Sequence, residues 1–172
     1  MEAAEIFVVD ANGQNVRRLT HNPFADVNHV WSPDGSQLTY VAYSNNANTT
    51  VMQLDVEHGT SIPFTPLNLN ESYAHQWSPD GSQLLLEMGR FDQSGIELIV
   101  MSADGETLTV LSNNDVLGFS AEWSPDGTQI VYISDIDKDD EIFVMNADGT
   151  GSTRLTDNEF EDRYPQWRPI AE

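Results

Sequence analysis

Trp-Ser-Pro-Asp-Gly stands three times in this chain, at 31–35, 77–81 and 123–127, and Trp167-Arg168-Pro169 is a degraded fourth copy. The tryptophans are 46, 46 and 44 residues apart. A fixed period of that size marks an architecture of repeated supersecondary units, because one such unit cannot bury its apolar face alone.

The third repeat shows what the unit is. Ser120–Trp123 reads as a short strand, and Ser124-Pro125-Asp126-Gly127 as the turn that ends it. Proline presets φ at the second turn position, and glycine accepts the positive φ that lets the hairpin keep its twist. Ile130–Ile133 and Glu141–Met145 are the second and third strands. Asn146-Ala147-Asp148-Gly149 is a further turn, and Thr153–Thr156 the fourth strand. Four short antiparallel strands with a turn at each join make one blade of a β-propeller. Strands two and three are apolar on both alternating faces, where a half-exposed strand would alternate with polar residues. Each blade must therefore be covered on both sides. A helical reading fails, since Gly and Pro cut the apolar runs at strand length.

Other copies repeat the order: Glu5–Val9 with Asp10-Ala11-Asn12-Gly13 and Arg18-Leu19-Thr20, then Glu97–Met101 with Ser102-Ala103-Asp104-Gly105. The repeats fall near 21–65, 66–112 and 113–156, with a split blade of 5–20 and 157–169, and 1–172 is read as a single propeller or half-propeller domain. W-S-P-D-G, then I-F-V-M-N-A-D-G, then R-L-T resembles the TolB-type β-propeller repeat over nearly the whole chain. That resemblance implies four-stranded blades around a central channel, usually six to eight of them. It also implies a binding platform in a bacterial envelope or secreted protein, or a domain attached to an enzyme, and so a periplasmic or secreted location. Met1–Glu5 carries no signal-peptide apolar run.

The blade count departs from that family. Only Met1–Ala4 precede Glu5, too few for the second strand of the split blade. An open stack would expose sheet edges and apolar faces. A four-bladed ring within one chain would close it. So would two chains joined head to tail, and this homodimer is the favoured expectation.

Charge narrows the partners. Twenty-eight acidic residues face seven basic ones, a net −21. Polyanion binding needs a basic stripe, which only Arg17-Arg18 begins to form, so nucleic acid is not expected, and no stretch approaches the ~20 apolar residues of a membrane span, so insertion in a membrane is not expected either. A protein or a small polar ligand is. Cysteine is absent, which removes thiolate chemistry.

The loops between strand four and the next inner strand gather on one face by topology, and loops on a rigid scaffold are where binding concentrates. Asp26, Glu71, Asp115, Phe160, Glu161 and Asp162 are the candidate binding residues there, and solvent-facing turns are the plain alternative. Asp135, Asp137 and Asp139 put carboxylates at alternate positions, a density of hard oxygen ligands that suits calcium. The loop matches a calcium loop poorly, with Asp140 at its sixth position and Asn146 at its twelfth; a solvated hairpin is the competing reading, and no cofactor is required. His29 and His75 recur two residues before their tryptophans, but Ala121 and Pro165 take that place afterwards, so packing is preferred to a ring of metal ligands. No G-x-S-x-G, H-E-x-x-H or phosphate loop occurs. A non-enzymatic binding or scaffold module is thus the leading expectation. A hydrolase or lyase using Glu71, Asp115 and Glu161 is the second, and a propeller fragment or folding unit without a selected ligand the third.

Overall fold

Each Ser-Pro-Asp-Gly segment folds into the same tight turn, and each turn joins the first two strands of a sheet. The Gly35, Gly81 and Gly127 amides donate to the Ser32, Ser78 and Ser124 carbonyls at 2.8–2.9 Å. All three glycines lie near φ +71°. A side chain there would be strained whatever the space around it. In the third copy Asp126 Oδ1 accepts from the Ser124 hydroxyl at 2.6 Å and from the Thr128 amide and hydroxyl at 3.0 and 2.8 Å. Asp34 and Asp80 do the same work. The repeated aspartate is hairpin chemistry, as its sequence context requires.

The computed structural model describes residues 3–43, 49–64, 72–89, 96–111, 118–136 and 139–169, without the side chains of 72–75 and 118. The described residues contain strands and turns and no helix. They divide into two units, Met1–Ser72 and Tyr73–Glu172.

The first unit opens with a two-stranded sheet, β1 (Phe7–Val8) and β2 (Arg17–Arg18), antiparallel with Phe7 opposite Arg18. A four-stranded antiparallel meander follows: β3 (Asp26–Trp31), β4 (Gln37–Tyr43), β5 (Thr49–Asp55) and β6 (Thr60–Pro63), paired in that order. Ile6 and Leu19, flanking the short strands, pack with Leu38, Tyr40 and Leu54 in one buried cluster, with Val8 against its side.

Two more meanders make the second unit. One runs β7 (Ser72–Trp77), β8 (Gln83–Gly89), β9 (Ile96–Ser102) and β10 (Leu108–Val110). The other runs β11 (Gly118–Trp123), β12 (Gln129–Ser134), β13 (Glu141–Asn146) and β14 (Thr153–Arg154). Their shared core takes Leu85, Leu98, Val100 and Leu111 from the first sheet and Trp123, Ile130, Tyr132 and Met145 from the second. Tyr132 stacks on Phe143 with ring centroids 5.6 Å apart. β4, β8, β9 and β12 carry runs buried on both faces, as continuous apolar sequence requires, whereas β5 and β13 are half-buried along much of their length. Strand four is exposed in β6 and β10, and β14, where Arg154 is half-buried, is at two residues shorter than the run read from sequence.

The inner strands carry a feature absent from the sequence reading. β3 slips register between Val27 and Val30, and β11 between Phe119 and Glu122. At each slip one residue adopts positive φ: Asn28 at 51° and Ser120 at 51°. Tyr164, at the matching place before Trp167, lies at 59°. Such a bulge adds a residue to one strand and turns its amides out of the ladder.

The tryptophans correct an expectation. The recurrence of Trp31, Trp77 and Trp123 predicts that each packs between sheets with its indole N–H paired. Trp123 is 4% exposed, but its Nε1 has no partner among the described residues, because its neighbours are Leu85, Leu98, Val100, Ile130 and Met145. Trp31 is 44% exposed. Trp167 does find an acceptor, the Glu122 carbonyl at 3.1 Å.

Candidate functional site

The loops leading into an inner strand are described twice, after β2 and after β14, and the two are built alike. Asn158 sits at the centre of the second. Its Oδ1 accepts from the Phe160 amide at 2.8 Å, and its Nδ2 donates to Asp162 Oδ2 at 2.6 Å. Asn22 makes the same pair of bonds, to the Phe24 amide at 2.8 Å and to Asp26 Oδ2 at 2.7 Å. This side-chain turn lets asparagine fold the backbone without a ladder. Asn68 and Asn114 hold the equivalent sequence positions but lie outside the described residues.

A buried carboxylate anchors each loop from below. Glu141 is 1% exposed at its side chain and accepts from Arg154 Nη2 at 2.8 Å, from the Asn158 amide at 3.0 Å and from the Thr156 hydroxyl. The Thr156 hydroxyl, the Asn158 amide and Arg154 together lower its pKa to about 2 against the opposing effect of burial. Glu5 repeats the arrangement with Arg18 at 2.6 Å and Thr20 at 2.7 Å. Burial pushes Glu5 upward, but Thr20 and Arg18 outweigh it and its pKa is lowered. The Ile6 and Ile142 amides donate to the two threonine hydroxyls, each at 2.9 Å. The recurrence of E-I-F-V with R-L-T and a following asparagine was the available signal for this network. Sequence reading took those residues as strand markers only.

The candidate binding residues separate by exposure. Phe160 is 76% exposed, and Glu161 is solvent-facing while paired with Arg163 Nη2 at 3.0 Å. Asp162 is half-buried, held by Asn158 and by its own amide, which donates to the Asp140 carbonyl at 2.6 Å. Asp140 in turn accepts from Arg163 Nε at 2.6 Å. These contacts bring Phe160, Glu161 and Asp162 onto one braced loop. Asp26, the counterpart of Asp162, is only 4% exposed, with Oδ1 buried and unpartnered among the described residues. Burial raises its pKa and the nearby Glu5 charge adds to the rise, against hydrogen bonds from Thr20 and Asn22. It is a supporting residue of its loop and offers no exposed contact. Glu71 and Asp115 lie outside the described residues, as does Asp137.

Asp135 and Asp139 are half-buried. Among the described residues no three His, Asp or Glu side chains converge where they could hold a metal ion. Nor is any helix there long and apolar enough to cross a membrane.

One buried acid escaped the sequence reading altogether. Glu87 on β8 is 6% exposed and accepts the Ala121 amide at 2.8 Å. Burial raises its pKa, opposed by the amides of Ala121 and Ser120. Its carboxylate thus holds the bulge of β11 from the neighbouring sheet. Val41 and Ile133 take its place in β4 and β12, and that break in an apolar column was the signal.

At the hairpin end of the second unit, a shallow cleft of 290 Å³ lies between the turns, lined by Ser78, Asp80, Ser82, Gln83, Asp126 and Gly127. Both aspartates are committed to their own turns: serine hydroxyls and backbone amides hold Asp126 at about 2 and lower Asp80. Neither is poised for proton transfer near neutral pH.

A family model described as the TolB beta propeller domain matches residues 1–171. Among solved structures, the putative TolB of Agrobacterium tumefaciens is similar with a TM-score of 0.72 at 21% identity, covering 90% of this chain and 57% of that one. A puromycin-hydrolysing peptidase of Mycobacterium tuberculosis is similar with a TM-score of 0.75 at 17% identity, covering 96% and 29%. An oligogalacturonate lyase of Vibrio parahaemolyticus follows with 0.65 at 17% identity, covering 82% and 41%. The chain therefore spans little more than half of the first of these structures and less of the others, and the likeness is one of fold. No curated protein matches the chain in a sequence comparison.

Proposed function

The chain belongs to the TolB beta propeller domain family, and on that premise we propose that it is a binding module whose 157–162 loop engages a protein partner. The observation that carries this reading is Phe160. A phenylalanine 76% exposed is unusual on a loop whose backbone is pinned by Asn158, Glu141 and Asp140. Ordering such a loop costs little on binding, because it is already ordered. Glu159 and Glu161 flank the ring, so the complementary surface is an apolar pocket rimmed with lysine or arginine. Tyr164, 80% exposed, adds a second aromatic on the same segment.

A peptide array varying basic and apolar positions tests it. The wild-type chain should retain peptides that combine both, and Phe160→Ala with Glu161→Arg should lose them. Retention unchanged by those substitutions would refute the loop's role. Relatives of this fold include enzymes named for acting on oligogalacturonate and puromycin. Turnover of either compound by the purified chain would replace the binding reading with a catalytic one. The head-to-tail homodimer belongs to the same proposal, and a monomeric mass by light scattering would remove it.

A further inference from the structure

The turn between β1 and β2 carries an amide where its counterparts carry a carboxylate. Asp10-Ala11-Asn12-Gly13 stands in the place of Ser102-Ala103-Asp104-Gly105 and Asn146-Ala147-Asp148-Gly149. The backbone is alike in all three. The Gly13, Gly105 and Gly149 amides donate to the Asp10, Ser102 and Asn146 carbonyls at 2.8–2.9 Å, and each glycine has positive φ, +79° at Gly13. The side chain at the third position also folds back alike. Asp148 Oδ1 accepts from the Thr150 amide at 2.9 Å, and Asn12 Oδ1 from the Gln14 amide at 2.9 Å. Residues 10–14 are exposed, and a Cβ at Gly13 would meet nothing within 4 Å. Solvent therefore reaches the turn freely. Asn12 is the single asparagine of the sequence that precedes a glycine.

We propose that Asn12 is a site of self-modification, in which the Gly13 backbone nitrogen attacks the Asn12 side-chain carbon Cγ. Hydroxide takes the proton of the Gly13 amide and becomes water. The nitrogen then bonds to Cγ, the Cγ–Nδ2 bond breaks, and Nδ2 takes a proton from water and leaves as ammonia. The result is a cyclic imide. Water adds to either imide carbonyl, so the whole sequence consumes one water, releases one ammonia and moves no electrons between redox partners. One opening leaves aspartate at position 12. The other leaves its isomer, with the backbone routed through the side chain.

Two features of the turn favour the step. Negative charge builds on Oδ1 during the attack, and the Gln14 amide is already aimed at that atom. Glycine also leaves the attacking nitrogen unshielded. Asn15, Asn28, Asn146 and Asn158 are followed by residues with side chains, and Asn22 by a proline, which has no N–H to lose. The five Asp-Gly turns escape the reaction, because it needs a neutral carboxyl. The hydroxyl and amide donors of those turns hold all five carboxyls below their usual range. The two products differ in their effect. Aspartate at position 12 adds a negative charge and reproduces the Asp148 turn. The isomer inserts a backbone carbon and breaks the bond from the Asp10 amide to the Gln14 carbonyl, 3.0 Å, that closes the turn.

The experiment holds the full chain in mildly alkaline heavy-oxygen water and maps its peptides by mass spectrometry. The peptide containing residue 12 should gain one heavy oxygen and one negative charge, at a rate on the order of tenfold above that of any other asparagine. The rate should rise with pH, since hydroxide removes the Gly13 proton. Asn12→Gln, which would have to close a larger ring, should abolish the charge change. Asn12→Asp should keep the wild-type Tm. Three results would overturn the site: residue 12 unconverted while another asparagine converts, an equal acidic species formed by Asn12→Gln, or a rate indifferent to pH. A lower Tm for Asn12→Asp would overturn the claim that the aspartate product keeps the turn.

Discussion

The seam between β1–β2 and β3–β6 and the seam between β7–β10 and β11–β14 come from the same repeat, yet only the second closes over its tryptophan. Both use an isoleucine or leucine at the start of strand three, a leucine after strand four and a Trp on the inner strand. The second adds Leu85 and Glu87 from strand two, and these two residues separate a Trp at 4% exposure from one at 44%. The repeat's tryptophan is thus a demand on the neighbouring sheet. Its own sheet cannot satisfy it.

The sharpest way to break the comparison is to truncate both rings. Trp123→Ala should cost about 3–5 kcal/mol of unfolding free energy, as buried aromatic truncations do. Trp31→Ala should cost about 1 kcal/mol, since half of its surface already meets water. Equal losses in urea titrations would show that Trp31 is buried in solution.

Glu141→Gln should come next. It replaces an acceptor for Arg154, Thr156 and the Asn158 amide with a group that presents its own donors. The loss should show as a lower Tm at pH 7. Because the folded pKa of Glu141 is lowered to about 2 from 4.5, its contribution is present above pH 4.5 and lost as pH falls through 2. The Tm gap between variant and wild type should therefore close on acidification, as a calorimetric pH series would show.

Glu87 should behave in the opposite sense. Its folded pKa is raised above 4.5, so the folded state holds the proton more tightly than the unfolded chain. Its favourable contribution is full below pH 4.5 and declines as pH rises through the folded value. Glu87→Gln keeps an acceptor for the Ala121 amide without the buried charge. It should equal wild type in Tm below pH 4.5 and match or exceed it at pH 7. A large loss at neutral pH would mean that the ionised carboxylate is indispensable to the seam.

The smallest expected effect is that of Phe160→Ala on stability, within about 0.5 kcal/mol for a side chain so exposed. A stability loss beyond 1 kcal/mol would show that the ring packs in solution and would remove it as a contact residue.

Much of the fold was legible because it is local. Ser-Pro-Asp-Gly makes its turn from its own hydroxyl, carboxylate and positive-φ glycine, and the apolar runs Leu84–Leu86 and Ile130–Ile133 announce two-sided burial. Of the candidate binding residues, Phe160 and Glu161 were legible as loop residues and are exposed. Asp26 was not, since identical loop chemistry leaves Asp162 half-buried and Asp26 inside. The Glu5 and Glu141 networks were half legible. Their residues recur in order, but their joining depends on strands three and four lying side by side. The bulges at Asn28 and Ser120 left no mark in composition.

By itself, then, the sequence determined the repeat, the turn chemistry, the antiparallel order and the acidic surface, all governed by interactions within a few residues or by composition. Only the tertiary structure decided which tryptophan is covered, which carboxylate is buried and which aromatic stands free. Those outcomes depend on what the adjoining sheet supplies, and residues that are identical along the chain meet different neighbours across it.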